Sequence, residues 1–227
     1  MSTAFWSCFK AILKKDLKIE LRSKETLATT SLFGVVLTFL FAFGFMGDPA
    51  TNLVVAPGVL WAALLFTGSL SVGRTFAREQ ENSAFTALAL SPAPRSAILA
   101  AKVIVNIGVM LGVMLVITPL LAILMHIDLS TNLFALMSLI TLSAVGFALV
   151  ATPLAVMAVG ARFPEVLLPM VVFPLVTPVM ICGVRGSAAL LGTSVDLDYS
   201  AWTQMILAFD LMIGGGAFFL FDWMVSE

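Results

Sequence analysis

Few side chains in this sequence have the chemistry for a reaction. The single histidine, His126, stands two residues before Asp128. A lone imidazole there is either an axial ligand to haem or a metal, or simply a polar group at an interface. Cys8 and Cys182 are isolated and form no CxxC, so neither a redox pair nor covalent haem attachment is indicated. The chain contains no GxxxxGK[ST], no HExxH and no GxSxG. It therefore lacks a Walker-type phosphate cradle, a zinc-protease helix and a nucleophile elbow. No catalytic residue and no metal site are assigned, and the chain is not read as an enzyme. Asp210 is different, because it falls inside a long apolar run about 13 Å along a helix from Ala201. A carboxylate at that depth is costly, and should face the protein interior, a polar cavity or a partner subunit. Asp222 lies closer to the inner end of the same run.

The elements that position these residues follow from composition. Of 227 residues, 60% are hydrophobic and 11% charged, and mean hydropathy is +1.09. Soluble domains carry about 25% charged residues, so the bilayer is the natural solvent. Six apolar runs, the first five free of charge and the sixth holding Asp210 and Asp222, suit membrane-crossing helices of about 20 residues: 27–47, 54–73, 103–125, 136–159, 166–184 and 201–225. The expected fold is all-α, a membrane protein with six transmembrane helices in residues 27–227, preceded by a cytoplasmic amphipathic helix over 1–26. In FWSCFKAILKKDLKIELRSK, Phe9, Leu13, Leu17 and Leu21 recur every four residues beside a stripe of Lys10, Lys14, Lys18 and Arg22. That pattern predicts a helix lying in the interface with its lysines near anionic headgroups, or else a helix packed on its own protein.

Orientation comes from Lys and Arg. With the N-terminus in the cytoplasm, 11 of the 12 fall on the cytoplasmic side and only Arg185 opposite, a strong positive-inside bias. Both termini are then cytoplasmic, as is the polar stretch 74–102, RTFAREQENSAFTALALSPAPRSAILAAK. The net charge of −1 points to no nucleic-acid partner.

The stretch 74–102 reads as a charged turn with Arg74, Arg78, Glu79 and Glu81, helix-starting residues Asn82 and Ser83, and a short apolar helix SAFTALAL. Ser91-Pro92-Ala93-Pro94 stops that helix, and Arg95 opens a segment ascending into the third span. From physics alone this is either a docking knob or an interfacial hairpin without a partner. In the third span Gly108 and Gly112 form GxxxG, a close-packing motif. Pro169, Pro174 and Pro178 in the fifth span predict kinks. Gly and Pro in such helices also serve static packing. Twelve methionines in apolar runs read as packing. The outer loop 185–200 is a candidate re-entrant element.

The run from Arg78 to Lys102, with its acidic turn, short apolar helix, LSPAP and AILAAKV, resembles the corresponding loop of the haem exporter protein B family. DLKIELRSKETL at 16–27 is similar to that family's basic approach to the first span, and LLPMVVFPLVTPVMICG at 167–183 to its proline-spaced fifth span. Order and spacing of all six spans agree, so the resemblance covers nearly the whole chain. The loop departs from the family at ENSAFTAL, where Asn82 or Ser83 stands in place of a Gly, and Phe85-Thr86 in place of a Leu-acidic pair.

The resemblance implies the membrane permease subunit of an ABC transporter for cytochrome c maturation, in a bacterial inner membrane. It implies a coupling helix in the cytoplasmic loop, with Glu79, Glu81, Phe85, Leu88 and Leu90 contacting a separate ATPase subunit and Pro92 and Pro94 fixing the exit. ATP would be bound on that partner, and no cofactor by this chain. Haem is the candidate cargo, or else ATP energy releases a haem-loaded chaperone. Further implied partners are the other cytochrome c maturation membrane subunits, a second copy or a paired permease, and the lipid bilayer. Three alternatives remain: an ABC permease for another lipid-like cargo, an ion-coupled secondary transporter using Asp210, and a passive membrane scaffold with no energy coupling.

Overall fold

A computed structural model describes residues 2–45, 47–81, 94–129, 132–158, 164–193 and 198–224. The described residues form seven helices and no strand. They are α1 (Ser2–Ser23), α2 (Glu25–Phe45), α3 (Pro49–Glu81), α4 (Arg95–Met125), α5 (Leu133–Met157), α6 (Pro164–Leu190) and α7 (Tyr199–Met224). Among the described residues, α2 to α6 are each long and apolar enough to cross a membrane. The predicted sixth span corresponds to α7, whose 26 residues extend about 39 Å.

Helices α3, α4, α5 and α6 form a ring in which each packs on the next, and α3 also touches α5 across it. Outside the ring, α2 lies along α3 and α4, while α7 lies along α5 and α6. The middle of α5 is buried nearly all round, from Ser143 through Thr152 apart from Val145. On the flanks, Leu32, Val36, Leu40 and Phe43 of α2 and Leu211 and Met212 of α7 are exposed. A bilayer solvates such a surface, as water would not.

The joints have local causes. Between α1 and α2, Lys24 adopts a left-handed conformation with φ of 51°. The Glu20 carboxylate accepts a hydrogen bond from Leu27 N–H at 3.1 Å, placing an anion at the N-terminus of α2. Before α3, Asp48 precedes Pro49 and accepts from the Thr51 hydroxyl, which holds its carboxyl below the usual range. An acidic residue followed by Pro is a strong helix start. Asn52 braces this corner: its Oδ1 accepts from Gly47 N–H at 3.0 Å, and its Nδ2 donates to the Met125 carbonyl at 3.2 Å.

Two expectations change here. The charged turn at 74–81 is helix, the last two turns of α3, because RTFAREQE consists largely of residues compatible with a helix and contains neither Gly nor Pro. At 33 and 31 residues, α3 and α4 are about 50 and 46 Å long, longer than a bilayer core is thick. The proposed outer re-entrant element also shrinks, since Arg185–Leu190 continue α6 and Leu191 and Gly192 form a turn.

Candidate functional site

The predicted coupling region is flanked by two long helices. Glu79 and Glu81 lie in the final turn of α3, and Pro94 is the N-cap of α4 with φ −57° and ψ 125°. That extended conformation starts the helix sharply, and Arg95 is its first residue as the sequence predicts. Phe85, Leu88, Leu90 and Pro92 lie outside the described residues. So do the side chains of Glu79 and Glu81.

Below Pro94 the first two turns of α4 carry α1. Ile98 and Ala101 pack against Phe9, Ile12 and Leu13 in an apolar cluster separate from the main core. Beside it Lys102, only 1% exposed, places Nζ 3.6 Å from Asp16 Oδ2. Asp16 Oδ1 is also 3.0 Å from Lys15 Nζ. A buried ammonium needs such a partner. The apolar face of α1 is thus shared: Phe9, Ile12 and Leu13 meet protein, while Trp6, Leu17 and Ile19 are exposed with Lys10, Lys14, Lys18 and Arg22. The reading of a helix packed on its own protein accounts for Phe9, Ile12 and Leu13. Lys102 was legible only as one more positive charge; its burial follows from α4 beginning seven residues earlier.

In the interior, Asp210 is 6% exposed, and neither carboxylate oxygen has a hydrogen-bond partner. It faces the protein, against Gly146 of α5, which Val179 of α6 also approaches. Ser143, one turn before Gly146, is fully buried with an unpartnered hydroxyl. Polar links elsewhere tie helices together. Asn106 Nδ2 donates to Thr152 Oγ1 at 3.0 Å between α4 and α5. Trp61 Nε1 donates to Ser187 Oγ at 2.9 Å between α3 and α6. Asn132 Nδ2 donates to the Leu190 carbonyl at 2.8 Å, joining α5 to the end of α6. Counting charges missed these neutral groups, though each interrupts an apolar run visibly.

The packing motifs divide. Gly112 faces α2, where a Cβ would lie 3.0 Å from Leu27 Cδ1, but Gly108 is exposed and faces no neighbour. Four residues turn a helix by about 400°, so both share a broad face, yet α2 covers only its upper part. Within this chain the pair is not a helix-crossing motif. The closest approaches are instead at Gly34, Gly146 and Gly183, where a Cβ would fall within 2.7 Å of a neighbouring side chain. Pro169, Pro174 and Pro178 all lie inside α6, which runs unbroken through them. Pro174 and Pro178 are exposed, so their missing N–H groups lie on the outer face. His126 is the exposed C-cap of α4 with φ of 57°; Ile127 N–H reaches the Ala122 carbonyl at 3.0 Å. This is a Schellman-type ending, a structural reason for the residue.

Residues 7–219 match the family described as CcmB protein. The chain belongs to the CcmB family. Three curated relatives match along most of their length. Heme exporter protein B of Rhodobacter capsulatus is 29% identical over 192 residues, 83% of this chain and 87% of the relative. That of Paracoccus denitrificans is 29% identical over 184 residues, 79% and 84%. That of Haemophilus influenzae is 27% identical over 214 residues, 91% and 90%. With five helices among the described residues long and apolar enough to span, this CcmB-family chain is a multi-pass membrane protein. The matched region includes α1 from Ser7 onward, so the docked N-terminal helix lies within the family's extent rather than outside it.

Proposed function

We propose that this chain is the permease subunit of a haem-export system serving c-type cytochrome biogenesis, driven by a separate ABC ATPase. The CcmB match across residues 7–219, with relatives named Heme exporter protein B, carries this reading. In it the chain lies in a bacterial inner membrane with both termini cytoplasmic, as the Lys and Arg distribution favours. The ATPase docks on residues 79–94, through Glu79, Glu81, Phe85, Leu88 and Leu90. The geometry supports mechanical coupling there. Long helices continue from both ends of the segment, and α4 is clamped to α1 through Lys102 and Asp16 just beyond it. A push on the segment therefore tilts α4 and α1 as one body, and α2 follows through the joint at Lys24. The energy moves haem or releases a haem-loaded chaperone, and a second copy or a paired permease completes the pore.

Purification from native membranes in mild detergent tests this reading. A co-eluting ATPase whose hydrolysis is lost or uncoupled in Leu88→Asp supports it, together with loss of c-type cytochromes on deletion. Absence of any ATPase across several detergents, with Leu88→Asp behaving as wild type, overturns it. The buried, unpartnered Asp210 favours one second reading, ion-coupled transport. That reading requires transport that survives loss of the ATPase and fails in Asp210→Asn.

A further inference from the structure

A cleft of about 780 Å³ runs along α3 between α2 and α6. Thr29 and Phe33 form one wall, Leu168, Pro169 and Phe173 the other, and Phe66, Ser69, Leu70, Gly73 and Arg74 the floor. The volume lies within the usual range of small-molecule sites, about 300–1,000 Å³. Its two ends differ chemically. At one, Phe66 and Phe173 pack edge to face with ring centroids 5.7 Å apart. At the other, eight residues or about 12 Å along α3, stands the Arg74 guanidinium. Arg74 Nη1 donates to Thr29 Oγ1 at 3.3 Å, and among the described residues no carboxylate pairs with it. Between the ends, Ser69 is 7% exposed, yet its hydroxyl has no hydrogen-bond partner.

A serine in a helix ordinarily satisfies its hydroxyl on the carbonyl four residues back, as Thr67 and Thr75 of the same helix do at 2.6 and 2.9 Å. The hydroxyls of Ser69 and Ser71 are buried without such a bond. An apolar trough ending in a guanidinium with donors to spare matches an amphiphile with an apolar body and an anionic head. Arg binds carboxylate and phosphate through paired N–H donors. We propose that this cleft binds such an anionic amphiphile, its carboxylate or phosphate on Arg74 and its body against Phe66 and Phe173. Two sources offer this chemistry: a tetrapyrrole bearing carboxylates, and a phospholipid. The tetrapyrrole source alone rests on the haem reading above.

The test is photolabelling of the full-length protein in native membranes. The probes are a diazirine-bearing fatty acid and its methyl ester, with labelled peptides read by mass spectrometry. The acid labels α3 and α6 residues lining the cleft about tenfold more efficiently than the ester, the factor for one charged hydrogen-bonded contact. Arg74→Gln reduces the acid to the ester's level. Arg74→Lys, which keeps the positive charge at the end of the cleft, retains most of the labelling. Competition by haemin assigns the site to a tetrapyrrole, and competition by phosphatidylglycerol alone assigns it to lipid. The lipid outcome leaves the cleft site standing and says nothing against ATPase coupling, which Leu88→Asp tests separately. Equal labelling by acid and ester, or indifference to Arg74→Gln, overturns the proposal. So does absence of labelling with disulfide formation between two copies of Phe33→Cys, which gives the cleft to a second copy of this chain.

Discussion

Asp210 of α7 occupies the space that a side chain at Gly146 of α5 would need: a Cβ there would lie 2.2 Å from Asp210 Oδ1. The two helices run parallel at this contact. Ser138 meets Tyr199, Gly146 meets Asp210, and Leu149 meets Gly214, in rising order on both helices. The acid is therefore held by a matched absence on its neighbour, as a piece of the packing.

Gly146→Ala should displace Asp210 and destabilise the fold by about 1–3 kcal/mol, as overpacking does. Asp210→Ala in the same chain should recover most of that loss, because the clash has one partner. Thermal unfolding in detergent, followed by size-exclusion chromatography, reads both. Simple additivity of the two changes would show that residues 146 and 210 do not touch.

The Gly146 contact marks the limit of what the sequence could tell. Charge-free runs located α2 to α6 because hydrocarbon demands long apolar helices, and Asp210 stood out because a charge in such a run is conspicuous. Pro94 and Arg95 marked the start of α4 through local backbone chemistry, which needs no tertiary information. Which glycines meet a neighbour is set by helix rotation, which an apolar run without an amphipathic stripe does not encode. Hence GxxxG at Gly108 and Gly112 attracted the reading, while the closer approach at Gly146 went unmarked. Similarly, the sequence could not choose between lipid and α4 for the apolar face of α1, since both accept it.

Lys102 and Asp16 give an ordered set of effects. Asp16→Asn removes the carboxylate that faces the buried Lys102 ammonium, a loss that reaches about 3–5 kcal/mol for fully buried pairs and should be less here. Lys102→Met removes the buried charge itself and leaves Asp16 beside Lys15, so it should cost much less. Combining the two should be milder than Asp16→Asn alone. Limited proteolysis at the joint around Lys24 reports whether α1 has come away, with Asp16→Asn cut fastest.

The α3–α6 contact centres on Trp61, which is 1% exposed. Ser187→Ala strands its indole N–H, a cost of about 1–3 kcal/mol for a buried donor. In a Trp61→Phe background the same serine change should cost less, because no donor remains to be stranded. Gly183→Ala should be worse than either, since its Cβ would lie 2.7 Å from the Trp61 ring carbons. Thermal unfolding of the four variants checks the order, and an unchanged Ser187→Ala would remove the hydrogen bond from the account.

Asn106 and Thr152 allow stability and movement to be separated. Asn106 Nδ2 donates to Thr152 Oγ1, but Asn106 Oδ1 is buried without a partner. Thr152→Val strands the amide donor and should destabilise by about 0.6–2 kcal/mol, the range for hydrogen bonds between membrane helices. Asn106→Leu removes the stranded oxygen along with the bond, so it should be close to neutral or stabilising. If this polar link lets α4 shift against α5 during ATP-driven cycling, Asn106→Leu should then slow coupled ATP hydrolysis despite a stability at least equal to wild type. Measuring melting temperature and hydrolysis rate on the same two purified variants decides it. A strongly destabilised Asn106→Leu would mean that Oδ1 is satisfied after all, and full activity in a stabilised one would make the link structural only.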